Sequence, residues 1–289
     1  MTMKIIVATD GSPFSTYALK TLAHFAPPEE CTLVHALALP DLNYPLITPD
    51  VREEALRTTT DRLRQEGEKI LGEARNQVPS DFPKVEQVHQ IGHPVDVILE
   101  TARSSHANLI ILGARGLGRI KELILGSTSH RILLHASCPT LVVKTPITQI
   151  RKILLPIEGE EDADMAVRFL ELRPFRQTVE IQVFSVWPQP QLAWPTTVGL
   201  SKVMEVQALE EAQARLDGIT RRLLNMNYSC QSQVGLGDPA MAILEQAKSF
   251  QPDLIMMGTH HRGGLSRFLM GSVSHSLHHQ SNHPILLVR

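Results

Sequence analysis

Residues 109–127 read Leu109-Ile110-Ile111-Leu112-Gly113-Ala114-Arg115-Gly116-Leu117-Gly118-Arg119-Ile120-Lys121-Glu122-Leu123-Ile124-Leu125-Gly126-Ser127. Four consecutive apolar residues ending in glycine make a short strand that turns sharply. Gly126-Ser127 then opens a helical stretch that runs to Ala136. An uninterrupted apolar strand is one buried on both faces, which is the habit of parallel sheets covered by helices. Strand, glycine-bearing loop and helix start therefore point to the α/β class, in which ligands gather outside the carboxyl ends of the strands.

Working outward, the same order recurs. Gly126-Ser127-Thr128-Ser129-His130 matches Gly271-Ser272-Val273-Ser274-His275 at an offset of 145, half of the 289-residue length. At that offset Asn108–Gly113 matches Asp253–Gly258, Gly92-His93-Pro94 matches Gly237-Asp238-Pro239, and Cys138–Lys144 matches His283–Arg289. The opening strands, Lys4–Gly11 and Lys152–Gly159, align at an offset of 148. A unit of this size is a whole domain rather than a solenoid repeat. Two domains are expected, 1–146 and 150–289, with Pro146 interrupting the linker.

In the first half the alternation predicts strands at Ile5–Ala8, Thr32–Leu39, Val85–Ile91, Leu109–Leu112 and Thr140–Val143. Helices are expected at Phe14–Phe25, with Ser12 as N-cap and Pro13 in the first turn, and at Pro49–Gln77, Pro94–Ser104 and Ser127–Ala136. Both halves should be doubly wound α/β units with parallel sheets buried on both faces.

The loop after the fourth strand carries the chemistry. Its glycines let a ligand approach the backbone N–H groups closely. The helix start at Gly126-Ser127 adds unpaired N–H groups and the positive end of the helix dipole. Arg115, Arg119 and Lys121 add mobile positive charge. Charge-assisted hydrogen bonds contribute roughly 1.5–3 kcal/mol each, so a few suffice to hold a polyphosphate. The loop is not a Walker A sequence, and no G-x-G-x-x-G follows the first strand.

Gly113-x2-Gly116-x9-Gly126-Ser127 resembles the nucleotide-binding signature of the universal stress protein family. So do Ala8-Thr9-Asp10-Gly11-Ser12, Leu33-Val34-His35-Ala36, Gly92-x-Pro94 and Cys138-Pro139-Thr140-Leu141-Val142-Val143. The likeness covers nearly the whole chain, twice, as in a tandem member of the family. The resemblance implies two Rossmann-like domains of the adenine nucleotide alpha-hydrolase-like kind, each with a five-stranded parallel sheet flanked by helices. It implies ATP or another adenine nucleotide as ligand, with or without Mg. Ala8, Thr9 and Asp10 would meet the adenosine end, and the backbone of Ala36 would read the adenine edge. Leu112, Gly113 and Gly116, with Arg115 beside them, would line ribose and phosphates, and Gly126, Ser127 and Thr128 would hold the phosphates. The adenine comes from the resemblance alone; the residues themselves argue only for phosphate.

The second half departs from this pattern. Gly258, Gly271, Ser272 and Val273 keep their places, as do Pro156, Ile157 and Val186, but His261 stands where the middle glycine should be. Gly263, Gly264, Arg262 and Arg267 lie nearby. The first loop becomes Glu158-Gly159-Glu160-Glu161-Asp162-Ala163-Asp164, five carboxylates in seven residues. Like charges about 4 Å apart repel by about 4 kcal/mol at surface-like screening, so a weak or degenerate second site is expected.

Other features bound the function. Lys and Arg total 28 against 30 Asp and Glu, and aromatics make up 4%. This balance disfavours general nucleic-acid binding and base-stacking platforms. Cys31, Cys138 and Cys230 form no CxxC pair, and Cys31 and Cys138 read as buried thiols. His275 and His279 share a helical face near His278 and His283, with His260 or His261 as a conceivable third zinc ligand; a solvated face is the stronger expectation. Met241, Met256 and Met257 read as core fillers. No signal peptide or long apolar span is evident, so a cytoplasmic location is expected. The expected role is a nucleotide-dependent regulator or sensor in the stress response. A slow ATPase and a ligand-free interaction module are the alternatives. His89-Gln90-Ile91-Gly92-His93 does not fit the two-histidine motif of nucleotidyl transferases. The apolar terminal strands, Thr140–Val143 and Ile285–Val288, suggest a pseudo-dimer within the chain, with a homodimer also open.

Overall fold

The computed structural model describes residues 3–39, 48–116, 125–187, 202–259 and 271–289. The chain divides into two compact units, Met1–Ile147 and Thr148–Arg289. In the first, β1 (Lys4–Ala8), α1 (Pro13–Thr21), β2 (Glu30–Leu37), α2 (Pro49–Arg75), β3 (Val85–Ile91), α3 (Pro94–Ser104), β4 (Leu109–Gly113), α4 (Ser127–His135) and β5 (Thr140–Val143) alternate. All strand pairs are parallel, in the order β3-β2-β1-β4-β5. The second unit repeats the plan with β6 (Lys152–Pro156), α5 (Glu160–Glu171), β7 (Glu180–Trp187), α6 (Lys202–Asn225), β8 (Ser229–Leu236), α7 (Pro239–Phe250), β9 (Leu254–Gly258), α8 (Ser272–Gln280) and β10 (Ile285–Val288). Its order is β10-β9-β6-β7-β8, again parallel. Both units are the doubly wound α/β domains that the sequence predicts.

The core is built from the apolar strand runs. Ile5, Ile6, Val7, Leu109, Ile110 and Ile111 are at most 1% exposed, and Ile153, Leu154, Ile255 and Met256 are fully buried. One clasp recurs at the start of the central strands. The Asn108 carboxamide oxygen accepts the Lys4 N–H at 2.7 Å while the Asn108 N–H donates to the Lys4 carbonyl. Asp253 does the same for Lys152, its Oδ2 accepting the N–H at 2.9 Å. The matched Asn-Leu-Ile and Asp-Leu-Ile tripeptides are thus a register lock between the first and fourth strands of each unit.

Several expectations need correction. The first helix ends at Thr21 and tightens into a 3-10 turn, Leu22–His24, because the buried Phe25 must extend to reach the core. The second strand begins two residues earlier than expected and stops at Leu37. Burial on both faces fails for β3 and β8, which lie at the end of their sheets and are largely half-exposed or exposed. Their polar residues, such as Glu86, Gln87 and Gln90 in β3, were the signal. Met241 is 53% exposed on α7 and fills no core gap, whereas Met256 and Met257 are buried as expected.

Candidate functional site

The strand ends of the first unit surround a cavity of about 440 Å³. Ala8, Thr9, Asp10, Ala36, Leu112, Gly113, Arg115, Gly116, Gly126, Ser127 and Thr128 all line it. Leu117, Gly118, Arg119 and Lys121 lie outside the described residues. Ser15, Val34, Pro94, Ile98 and Ser129 also line the cavity and were not expected as site residues, although Val34 and Pro94 stand in the quoted family motifs. Pro94 could have been found, since it opens the helix after the third strand.

Local chemistry sets each position. Ser12 caps α1 by accepting the Ser15 N–H at 3.2 Å, and its own N–H donates to Asp10 Oδ1 at 3.0 Å. This Asx turn, with Gly11 at φ +76°, fixes the Asp10 carboxylate at the cavity edge. A Cβ on Gly116 would overlap Asp10 Oδ2, so a larger residue there would push the Asp10 carboxylate out of its present place. A Cβ on Gly113 would lie 2.5 Å from the Phe14 carbonyl carbon, so that glycine exists to let α1 pack on β4.

Gly126 is the N-cap of α4 and no side chain caps the helix. The N–H groups of its first turn have no acceptor within the helix, and Ser127 and Thr128 border the cavity. Ala114 anchors this start by accepting the Gly126 N–H at 2.7 Å and the Ser129 hydroxyl at 2.8 Å. The Arg115 guanidinium stacks over the Phe14 ring at 5.4 Å. Burial, and secondarily the Arg115 charge, push the nearby Lys144 ammonium down to about 8. Alternate residues of β2 turn toward β3 and β1; Leu37 accepts the Gly92 N–H and Val34 the Thr9 N–H. Ala36 belongs to the second set, and β1 ends opposite Val34. Its backbone therefore faces the cavity rather than a strand. The cavity thus brings together a helix N-terminus with its N–H groups, the Arg115 side chain, the Asp10 carboxylate and backbone polar groups.

The second unit has an equivalent cavity of about 280 Å³. Pro156, Ile157, Val186, Gly258, Gly271, Ser272 and Val273 line it, while His261, with His260, Arg262, Gly263, Gly264 and Arg267, lies outside the described residues. Glu158, Asp162, Phe184, Pro239, Ile243, Met257 and Ser274 complete the wall. Phe184 occupies the place of Val34, and Val186 that of Ala36, which accounts for the smaller space. The acidic loop acts more selectively than its composition suggests. Glu160 and Glu161 are exposed and Asp164 pairs with Arg222 at 2.8 Å. Of the five acids only Glu158 and Asp162 border the cavity, and Asp162 alone is buried, at 7% exposure. Its Oδ2 accepts the Glu158 N–H at 3.0 Å and its carboxylate lies against Gly258.

The C-terminal histidines differ from a uniformly solvated face. His275 is exposed and its ring packs 4.4 Å from that of His279, but His278 is fully buried. Among the described residues no cluster of three or more His, Cys, Asp or Glu is placed to hold a metal ion, and no helix is long and apolar enough to cross a membrane. Cys31 and Cys138 are buried, and burial pushes the Cys31 thiol up to about 12.

Fold and cavities together define a duplicated α/β protein with a cavity at the strand ends of each unit. The model of the universal stress protein family matches residues 1–144 and again 149–289, and the chain belongs to that family. It is 26% identical over 303 residues to a universal stress protein of Mycobacterium tuberculosis H37Rv, covering 99% of this chain and 96% of that one. Another universal stress protein of the same strain is 28% identical over 201 residues, a match spanning 68% of this chain and 66% of the relative, just under two thirds. The crystal structure of a universal stress protein from Archaeoglobus fulgidus DSM 4304 superposes with a TM-score of 0.64 at 20% identity, covering 98% of this chain and 95% of that one.

Proposed function

We propose that the first unit binds an adenine nucleotide, ATP foremost, and that occupancy makes the protein a nucleotide-dependent regulator. The observation carrying this reading is the meeting, in one 440 Å³ cavity, of an α4 start without a side-chain cap, Arg115 and glycines that leave room for the backbone to touch a ligand. These groups fit a polyphosphate: N–H donors and a dipole for its oxygens, and Arg115 for its charge. When bound, the phosphate chain supplies negative charge that no described acid at α4 opposes. Asp10, a carboxylate in the same lining, would accept ligand hydroxyls rather than hold phosphates. Mg is an optional companion of the phosphates in this reading. The second unit, with Asp162 and Glu158 at its cavity, takes little part in polyphosphate binding.

The test is calorimetric titration and native mass spectrometry of the full chain with ATP, AMP and inorganic phosphate. Binding of one ATP per chain, weakened at least about tenfold by Thr128→Glu, supports the proposal. That substitution adds a carboxylate where the helix dipole tolerates it, worth about 1.4 kcal/mol or more against phosphate. Absence of any adenine-nucleotide binding would refute it.

A further inference from the structure

His35 and His89 are direct neighbours across β2 and β3, with ring centroids 5.4 Å apart. Helix α2 lies over them at Gly67, where an added Cβ would overlap His89 Nε2 and Cε1 and His35 Cδ2. Gly67 is also the first buried residue of α2, since residues 49–66 are all exposed or half-exposed. The histidine pair therefore sits beneath the outermost firm anchor of a 27-residue helix. The His89 ring is half-buried, but its Nε2 is closed to solvent and has no hydrogen-bond partner among the described residues. A neutral ring can leave that nitrogen bare. An imidazolium is a donor at both nitrogens, and here one N–H would aim at the Gly67 methylene. A charged donor shut off from water without an acceptor is costly, and lifting the helix admits water to it.

We infer that the His35–His89 pair is a proton-operated latch: neutral rings let α2 seat on β2 and β3, and a proton on His89 unseats the helix from Gly67 back to its start. Burial opposes this proton most, followed by the His35 charge on β2; on α2, Glu68 favours it and Arg64 opposes it least. Gln87, on the same face of β3, is neutral. The seated ring thus takes up its proton less readily than a ring in water, so acid favours the unseated helix and neutral pH the seated one. His35 extends the latch to the first cavity. Its Nδ1–H donates to the Thr9 carbonyl at 2.8 Å, and Thr9 and Ala36 line that cavity. Raising α2 frees the His35 ring that Gly67 covers, and with it the hold on Thr9.

Hydrogen exchange of the full chain, read by mass spectrometry and corrected for the intrinsic effect of pH, tests the latch without any ligand. Protection of the α2 amides from Leu56 to Leu71 should fall severalfold from about pH 7.5 to about pH 5, while β1 and β4 stay protected. His89→Gln should abolish the fall. Glu68→Lys, at an exposed position, sets a second cation beside the ring and should enlarge the fall, a test that stands even where His89→Gln does not fold. Equal protection at both pH values overturns the inference, as does loss of the core strands together with α2. A fall that either variant leaves unchanged overturns it too. Only the coupling to Thr9 rests on the nucleotide reading of the first cavity. ATP should bind severalfold more weakly at the lower pH, and less so in His89→Gln. An equal loss of affinity in both chains overturns the coupling. ATP that binds at neither pH refutes the nucleotide reading and leaves the exchange result standing.

Discussion

Gly113 and Gly258 end the fourth strand of their units, yet they are hemmed in by different matter. At Gly113 an added methyl meets the Phe14 backbone at 2.5 and 2.7 Å; at Gly258 it meets the Asp162 side chain, with Cγ at 2.8 Å. Backbone yields only by moving a helix, whereas a carboxylate can rotate. Gly113→Ala should therefore cost about 1–3 kcal/mol, as overpacking does, and Gly258→Ala distinctly less, measured by urea denaturation of each variant. A second prediction concerns His89, whose ring lies 5.4 Å from that of His35, behind Thr9. Burial, then the His35 charge and least the Arg64 charge, hold His89 below its ordinary value of 6.5, and Glu68 only partly offsets this. The unfolded chain takes up the proton more readily than the folded one, so the stability that His89 contributes is full above about pH 6.5 and is lost as pH falls through its folded value. The melting temperature should drop between about pH 7.5 and 5, and less steeply in His89→Gln; equal slopes would rule out this histidine as a source.

At the scale of elements, the N-terminus of α1 illustrates what local sequence can specify. Ser12 followed by Pro13 predicts a cap, and the Ser12 hydroxyl accepts the Ser15 N–H at 3.2 Å. Ser12→Ala should lower stability by about 1 kcal/mol, readable as a shift in the urea midpoint with unchanged slope. Prolines made other starts legible as well: α2 opens at Pro49 and α3 at Pro94, as the sequence predicts. The end of α1 was hidden, because Phe25 leaves the helix for tertiary packing. The half-exposed β3 departs from the expectation of burial, which was extended to it from its apolar neighbours despite its polar pairs Glu86-Gln87 and His89-Gln90. Within the first cavity, the motif residues lie together because one loop and one helix start carry most of them. Ser15 and Ile98 come from other elements and carry no motif, so only the fold brings them in. The five acids of the second unit were conspicuous, but which of them faces inward depends on the turn of α5, and composition cannot supply that.

At the scale of the whole molecule, duplication has kept the frame and changed the contents. The register locks at Asn108 and Asp253 are alike, while the cavities differ in volume, apolarity and buried charge. Saturating the chain with ATP should give a stoichiometry of one, and ATP at 100 times its dissociation constant should stabilise the binding unit by about 2.7 kcal/mol. A stoichiometry of two would place phosphate beside Asp162 and contradict the electrostatics of that wall. The order of strands has a further consequence, one of time. β1 pairs with β4, so Ile5 must wait for Leu109, and in the second unit Ile153 must wait for Leu254. A ribosome adding roughly 5–20 residues per second leaves each opening strand without its central neighbour for roughly 5–20 s. During that interval an apolar strand edge is open to wrong partners, and it happens twice in every chain made. The most aggregation-prone moments of this protein should therefore fall during synthesis, before either cavity exists to be stabilised by a ligand.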